Sequence, residues 1–253
     1  MVKIFKFKNI VTTMLSGIFL LPMLSLILRT DIKSWSQALH MQRIYESIGI
    51  TFYILILTII FNILIGTPVA YTLSRTKSKL GKVLEILVFL PIIFPATVSV
   101  LGVQYRFIQF GLIETTLGVA IVHTVMTLPY YILSMKSGYT TISDNYFKLG
   151  KVMGVNEKQI FFKITLPMLK KSFIVGVAMI IMVSLVQYLT TFIIGGSEVM
   201  TLPIMLMPYM VDGGSKMGAV YSIIYILVTF ISVVLAKSII NLLWRDRNVR
   251  SKN

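Results

Sequence analysis

The feature that most limits this chain's fold is a succession of apolar stretches, each close to twenty residues long. Short segments between them hold nearly all of the charge. The hydrocarbon core of a bilayer takes roughly 20 apolar residues of α-helix. Stretches of that kind run over 10–28, 50–73, 83–103, 117–135, 173–194 and 219–241. Glu85 is the one charge well inside the first five, and Lys237 lies near the end of the sixth, where a lysine snorkels to the interface. In lipid each backbone N–H and C=O needs a partner inside the protein. The expected fold is therefore an all-α integral membrane protein with about six transmembrane helices. Composition agrees, because 13% of the residues are charged where a soluble domain has about 25%.

Orientation follows from the distribution of lysine and arginine. With the N-terminus inside, segments 1–9, 74–82, 136–172 and 237–253 share one side and carry 19 basic residues against 5 on the other. The positive-inside rule then puts both termini of this multi-pass chain in the cytoplasm. The net charge of +15 is thereby accounted for by loops between spans, which excludes a nucleic-acid surface. The first stretch follows Lys3, Lys6 and Lys8 and has no small-x-small cleavage pattern before Arg29, so it reads as a retained signal-anchor. The expected organisation is an N-terminal anchor and external segment over 1–44, a transmembrane core over 45–243 and a basic cytoplasmic tail over 244–253. Trp35 and Tyr45 in the first external segment suit interface anchors. In the external segment 195–218, the apolar run from Thr201 to Met210 is too short to span and reads as re-entrant or surface-lying.

Chemistry within the chain is restricted. There is no cysteine, so disulfides and thiolate ligands are excluded, and two histidines, His40 and His123, cannot form a histidine-rich metal site. No paired carboxylates occur within the spans, so a catalytic constellation has nothing to assemble from, and the chain reads as a non-enzyme.

The segment 136–172 is patterned like a folded element. Ser143-Asp144 suits a helix cap, Tyr146–Met153 a short helix, and Gly154 a left-handed stop. Glu157–Ile164 suits a second helix, which Leu166-Pro167 stops or redirects. A helix pair between two spans fits a docking knob; loop physics alone equally allows a helix lying on anionic lipid through its lysines.

Here the sequence resembles a known family. Lys148-Leu149-Gly150, then Lys151-Val152-Met153, then Gly154, with Leu166-Pro167 ending thirteen residues after that glycine, looks like the EAA loop of binding-protein-dependent ABC importer permeases. Lys148-Leu149-Gly150 replaces the family's Glu-Ala-Ala and reverses the charge of its first position. Ser47, Gly66-Thr67-Pro68-Val69-Ala70-Tyr71 and Arg75 look like that family's first core helix. Pro91 and Pro95 resemble its next helix, and Gly195-Gly196 through Thr201-Leu202-Pro203 resemble the branch handling polyamines, thiamine and ferric iron.

The resemblance implies a type I importer permease fold with a coupling loop over 144–167, made by Tyr146, Lys148, Leu149, Gly150, Lys151, Met153, Gly154, Leu166 and Pro167. It implies a partner dimer of ATPases that binds ATP and magnesium, an extracytoplasmic substrate-binding protein, and a second permease. The charge reversal favours a heterodimer. Substrate would cross by alternating access. The chain's own G-x-x-x-x-G-K-S/T phosphate loop is missing, since Thr76 stands where Gly81-Lys82 would need the first glycine.

Polar residues inside spans mark a pathway or glue helices together. Ser184, Gln187, Tyr188 and Thr191 fall at i, i+3, i+4 and i+7 and would make one stripe on the fifth span. His123, Thr127, Tyr130 and Ser134 do the same on the fourth, and Thr51, Thr58 and Asn62 form a weaker stripe on the second. Either reading stands for Ser184, Gln187, Tyr188, Thr191 and Thr127; for His123 a satisfied buried imidazole is preferred. Glu85 is expected to pair locally with Lys82. An ion-coupled secondary transporter is the alternative function, although internal repeats and mid-span carboxylates are not evident.

Overall fold

In the computed structural model the described residues are 17, 18, 20–76, 78–143, 145–211 and 215–250. The start of the first predicted span, Asp144, Gly213-Gly214 and the end of the basic tail lie outside them. Helix α1 (residues 20–28) is followed by α2 (Ile32–His40) and α3 (Gln42–Arg75). Next come α4 (Lys79–Ile93), α5 (Ala96–Gln109) and α6 (Thr116–Thr140). The segment predicted as a helix pair holds α7 (Asn145–Val152), α8 (Glu157–Ile160), a π-helical turn (Phe161–Thr165) and α9 (Leu166–Met168). It leads into α10 (Lys170–Leu185) and α11 (Tyr188–Gly195), then α12 (Leu202–Val211) and α13 (Lys216–Arg250).

Among the described residues three helices, α3, α6 and α13, are long and apolar enough to cross a membrane unbroken, and two bent pairs raise the number to five. The starts of α2, α4 and α6 are set by side chains that satisfy orphan N–H groups. The Asp31 carboxylate accepts from Ser34 N–H at 2.8 Å, and the hydroxyls of Ser78 and Thr115 accept from Gly81 and Gly118 N–H at 3.1 and 3.0 Å.

Two sequence expectations change in detail. The third span is not one helix: α4 and α5 meet at 104° across Phe94-Pro95. Pro95 has no N–H to donate and drives Phe94 into extended backbone (φ −85°, ψ 139°), so the helix ends there. The helix bearing Leu166-Pro167 does not turn at the proline. Pro167 sits in the first turn of α9, where its missing N–H costs nothing, and the 66° bend into α10 falls at Leu169. The run from Thr201 supplies α12, which packs on α13 and α3 with Leu202 and Leu206 buried. Its first N–H, from Leu202, donates to Thr51 Oγ1 at 2.9 Å.

The core is centred on Tyr131 of α6, which is fully buried. A Cβ on Gly66 of α3 would lie 2.6 Å from the ring's Cδ1, and one on Gly176 of α10 2.8 Å from Cδ2. The two glycines thus let three helix backbones close on one aromatic ring. Thr67 Oγ1 meets the phenol oxygen at 2.9 Å, and Phe173 packs edge-on with ring centroids 6.3 Å apart. A second apolar cluster joins α2, α3, α12 and α13 around Tyr221, Leu206 and Ile44. Faces away from these clusters are apolar and exposed, as at Leu64, Ile93 and Phe230, which suits contact with lipid tails.

Gly66→Val and Gly176→Val are expected to lower stability by about 1–3 kcal/mol through overpacking against Tyr131. Gly49→Ala, with no atom near the added methyl, keeps or raises it. Thermal unfolding of the detergent-solubilised protein checks both.

At the α2 end, Asp31 also accepts from Lys216 Nζ at 2.7 Å. The Lys216 ammonium, then the Ser34 donors, hold the Asp31 carboxyl well below the usual carboxylate range. A depressed folded pKa stabilises above the unfolded value and loses that stabilisation as pH falls through the folded one. Amide-exchange protection of α2 should therefore persist through pH 4 and fall only in stronger acid, and Asp31→Asn should weaken it above pH 4 and converge with the unsubstituted chain in acid strong enough to neutralise Asp31.

Candidate functional site

Two places gather the residues that the sequence singled out. The first is the knob of α7 and α8. Gly154 ends α7 with φ +71°, and Val155 N–H reaches back to the Gly150 carbonyl at 2.9 Å, closing a Schellman-type cap. The side chain of Asn156 caps α8 by accepting from Lys158 N–H at 3.1 Å. A Cβ at Gly150 would lie 2.6 Å from Ile160 Cδ1, so a glycine there lets fully buried Ile160 rest on the α7 backbone. The tip is apolar and exposed: Leu149, Val152 (86%) and Met153 (77%) stand clear of the protein, with Tyr146 and Phe162 beside them. Lys148 and Lys151 lie on α7, three residues apart. Leu166 and Pro167 are half-buried beneath the knob rather than on its tip.

The knob is fastened at both ends. Arg75, at the end of α3, donates Nη2–H to the Ile142 carbonyl at 3.0 Å. Trp244 of α13 donates Nε1–H to the Leu166 carbonyl at 3.2 Å and packs its ring on Phe173. Trp244 carried no motif signal in the sequence, because its partner is 78 residues away. Glu85 pairs with Lys136 of α6, tying α4 to that helix; the local expectation of Lys82 overlooked a lysine brought close by packing.

The second place is the wall built by α6, α10 and α11. The fifth span breaks at Val186-Gln187, where Gln187 has φ −78° and ψ 53°, so Ser184 stands on α10 while Tyr188 and Thr191 stand on α11. The stripe expected from helical spacing assumed an unbroken helix. His123 of α6 bridges the break, with Nδ1 2.8 Å from Ser184 Oγ and Nε2 2.8 Å from Thr191 Oγ1. Thr127 accepts from Asn62 Nδ2–H of α3 at 2.7 Å and donates to the His123 carbonyl. Ser134 donates to the Ser172 carbonyl at 2.7 Å. These side chains are buried among helices or, for Ser134, partly so. Gln187 and Tyr188 are half-buried. Tyr188 stacks on Phe192 and lines an open hollow of about 670 Å³ with Arg43, Gln42 and Met205.

Chemically, the wall offers neutral hydroxyls and one imidazole, and the hollow one guanidinium and no carboxylate. Among the described residues no three His, Cys, Asp or Glu side chains gather as a metal site.

Comparison with known proteins places this architecture. The permease NifC of Clostridium pasteurianum, a probable transport system permease protein, is 25% identical over 85% of this chain and 81% of its own length. The molybdenum transport system permease ModB of Mycobacterium tuberculosis is 26% identical over 54% of this chain and 56% of its own. A bacterial ABC transporter involved in import of the acidic polysaccharide alginate contains a chain that superimposes with a TM-score of 0.68. That match covers 97% of this chain and 96% of the other, at 18% identity. Residues 56–245 match the family described as the binding-protein-dependent transport system inner membrane component. The ion-coupled alternative finds no support in these matches. This chain therefore belongs to that family and is a multi-pass inner-membrane permease subunit of an ABC importer.

Proposed function

We propose that the α7–α8 knob is the coupling element through which a partner ATPase dimer drives this permease. Tyr146, Lys148, Leu149, Gly150, Lys151, Met153 and Gly154 form its working part, with Leu166 and Pro167 as its base. The observation that carries the reading is the knob's build. Two short helices are locked by a positive-φ glycine and tied down by Arg75 and Trp244, and they end in exposed Leu149, Val152 and Met153. The excess of basic residues on this side puts the knob in the cytoplasm, where a separate ATPase with its ATP and magnesium would meet it. Lys148 and Lys151, without an acidic residue in α7, suit an acidic rim around an apolar groove on that partner. The motif's glutamate would then come from a second, different permease chain, making the pair a heterodimer with core 45–243 as this chain's half.

Solute from an external binding protein would enter past the Tyr188 hollow and the neighbouring wall of Gln187, Ser184, Thr191, His123 and Thr127, by alternating access. Arg43 and hydroxyl-bearing walls without carboxylates suit an anion better than a polyamine or a metal cation. With the name of the ModB relative, this supports a small oxyanion of the molybdate class.

The test is binding-protein-stimulated ATP hydrolysis and uptake in liposomes holding this chain with its ATPase and second permease. Gly154→Val forces a β-branched residue to positive φ at about 1–3 kcal/mol of strain, and should lower stimulated hydrolysis about tenfold or more. Lys148→Glu should weaken assembly, and an acid-to-lysine change in the partner's groove should restore it. Uptake of labelled molybdate, with thiamine excluded, is the expected solute pattern. Normal coupling in Gly154→Val would overturn the coupling role of the knob.

A further inference from the structure

The break between α10 and α11 has no proline or glycine to cause it. Kinks without such residues arise where another side chain enters the helical hydrogen-bond ladder. Here the side chains come from two other helices. At the end of α10 the Leu185 carbonyl accepts from the Tyr225 hydroxyl of α13 at 2.7 Å. The Gln187 carbonyl accepts from the Thr191 N–H at 3.2 Å and from the hydroxyls of Thr190 and Thr191. His123 reaches across both sides of the gap, to Ser184 before it and Thr191 after it.

The hydroxyl count decides the imidazole's proton. Thr191 has one hydroxyl hydrogen and gives it to the Gln187 carbonyl, so it meets Nε2 as an acceptor. Nε2 therefore carries the proton, and Nδ1 accepts from the Ser184 hydroxyl. The two half-helices otherwise answer to different neighbours. α10 packs on α3, α6, α9 and α13, while α11 packs on α5, α6 and α12; α6, which carries His123, is the main neighbour they share.

We propose that His123 is the positioning residue of this joint. As the Nε2–H tautomer it clasps the last turn of α10 to the first turn of α11 and sets the Tyr188 side of the hollow. The clasp stands on the hydrogen bonds and the packing; its effect on uptake rests on the proposed path past Tyr188.

The cysteine-free sequence makes the joint directly measurable. Thr190, 1% exposed and bonded to the Gln187 carbonyl rather than to His123, becomes the reporter in Thr190→Cys, which is the common background of every variant and is labelled by a small charged methanethiosulfonate in the assembled transporter in nanodiscs. His123→Ala and Thr191→Val should each raise the labelling rate about tenfold, the scale of one buried hydrogen bond. Thr191→Ser and His123→Gln, which keep a partner for the clasp, should stay within about twofold. A second reporter, Thr58→Cys at a fully buried position of α3, should not respond. Nitrogen NMR of histidine-labelled protein, with His40→Gln to leave one signal, should place the proton on Nε2.

Unchanged labelling in both clasp variants, an equal rise at Thr58→Cys, or a proton on Nδ1 would each overturn the proposal. Thr191→Val has nearly the shape of threonine and carries the test where His123→Ala fails to assemble. Faster labelling with unchanged uptake KM would leave the clasp standing and remove Tyr188 from the path.

Discussion

The structure depends on one ring held between two glycines. Lipid tails are as apolar as leucine, so membrane helices gain little from hiding apolar surface against each other and associate through close packing and hydrogen bonds. Tyr131 uses both. Its ring fills the space that Gly66 and Gly176 leave open, and its hydroxyl finds Thr67 without leaving the core. A typical hydrogen bond between membrane helices contributes about 0.6 kcal/mol, so Asn62–Thr127 or Ser134–Ser172 alone cannot fix three helices. Overpacking at the ring would cost several times that. The α3–α6–α10 unit is thus set by steric fit, with the polar contacts selecting its register.

That rigid centre lets the two ends be irregular. Near Tyr131 the helices run without interruption, and α6 carries Pro129 without a break. Elsewhere the chain breaks at Pro95 and at Gln187, and it bends at Leu169 on the edge of the same buried cluster. Each irregularity exposes backbone groups that lipid cannot satisfy. At Gln187 the compensation is fully visible, in Tyr225, Thr190, Thr191 and the His123 bridge. Irregular backbone at this depth persists where protein encloses it, and the small enclosed space beside His123, Thr51 and Thr201 is such a place.

Legibility in the sequence followed the range of each cause. The spans were readable because twenty apolar residues are a local property, and Gly154 because a positive-φ helix stop sits within one turn of the helix it ends. The break at Pro95 had its cause in plain view, yet span length alone smoothed it into one helix. The break at Gln187 had no local sign: its determinants, Tyr225 and His123, are 38 and 64 residues away along the chain. The Glu85 partner failed to appear for the same reason, since Lys136 is distant in sequence and adjacent in space. Helical spacing grouped Ser184 with Thr191 correctly in space, but through an imidazole rather than through a continuous helix face.

The fastening of the knob bears on how force would travel. A knob tied only to its flanking residues would tilt without moving a span. Here Trp244 holds the Leu166 carbonyl and packs its ring at a tilt on Phe173, so α13, the base of the knob and the first turn of α10 form one packed joint. Arg75 ties the other end to α3. Under the proposed coupling, a push on Leu149 or Met153 would reach α3, α10 and α13 together, the helices that close on Tyr131 or pack beside it. α11 hangs from a different set of neighbours and meets that body across the His123 bridge. Under the proposed path, that body and the half-helix α11, which meet at the His123 bridge and along the α6 face, would be the two parts that move relative to each other in an alternating-access wall.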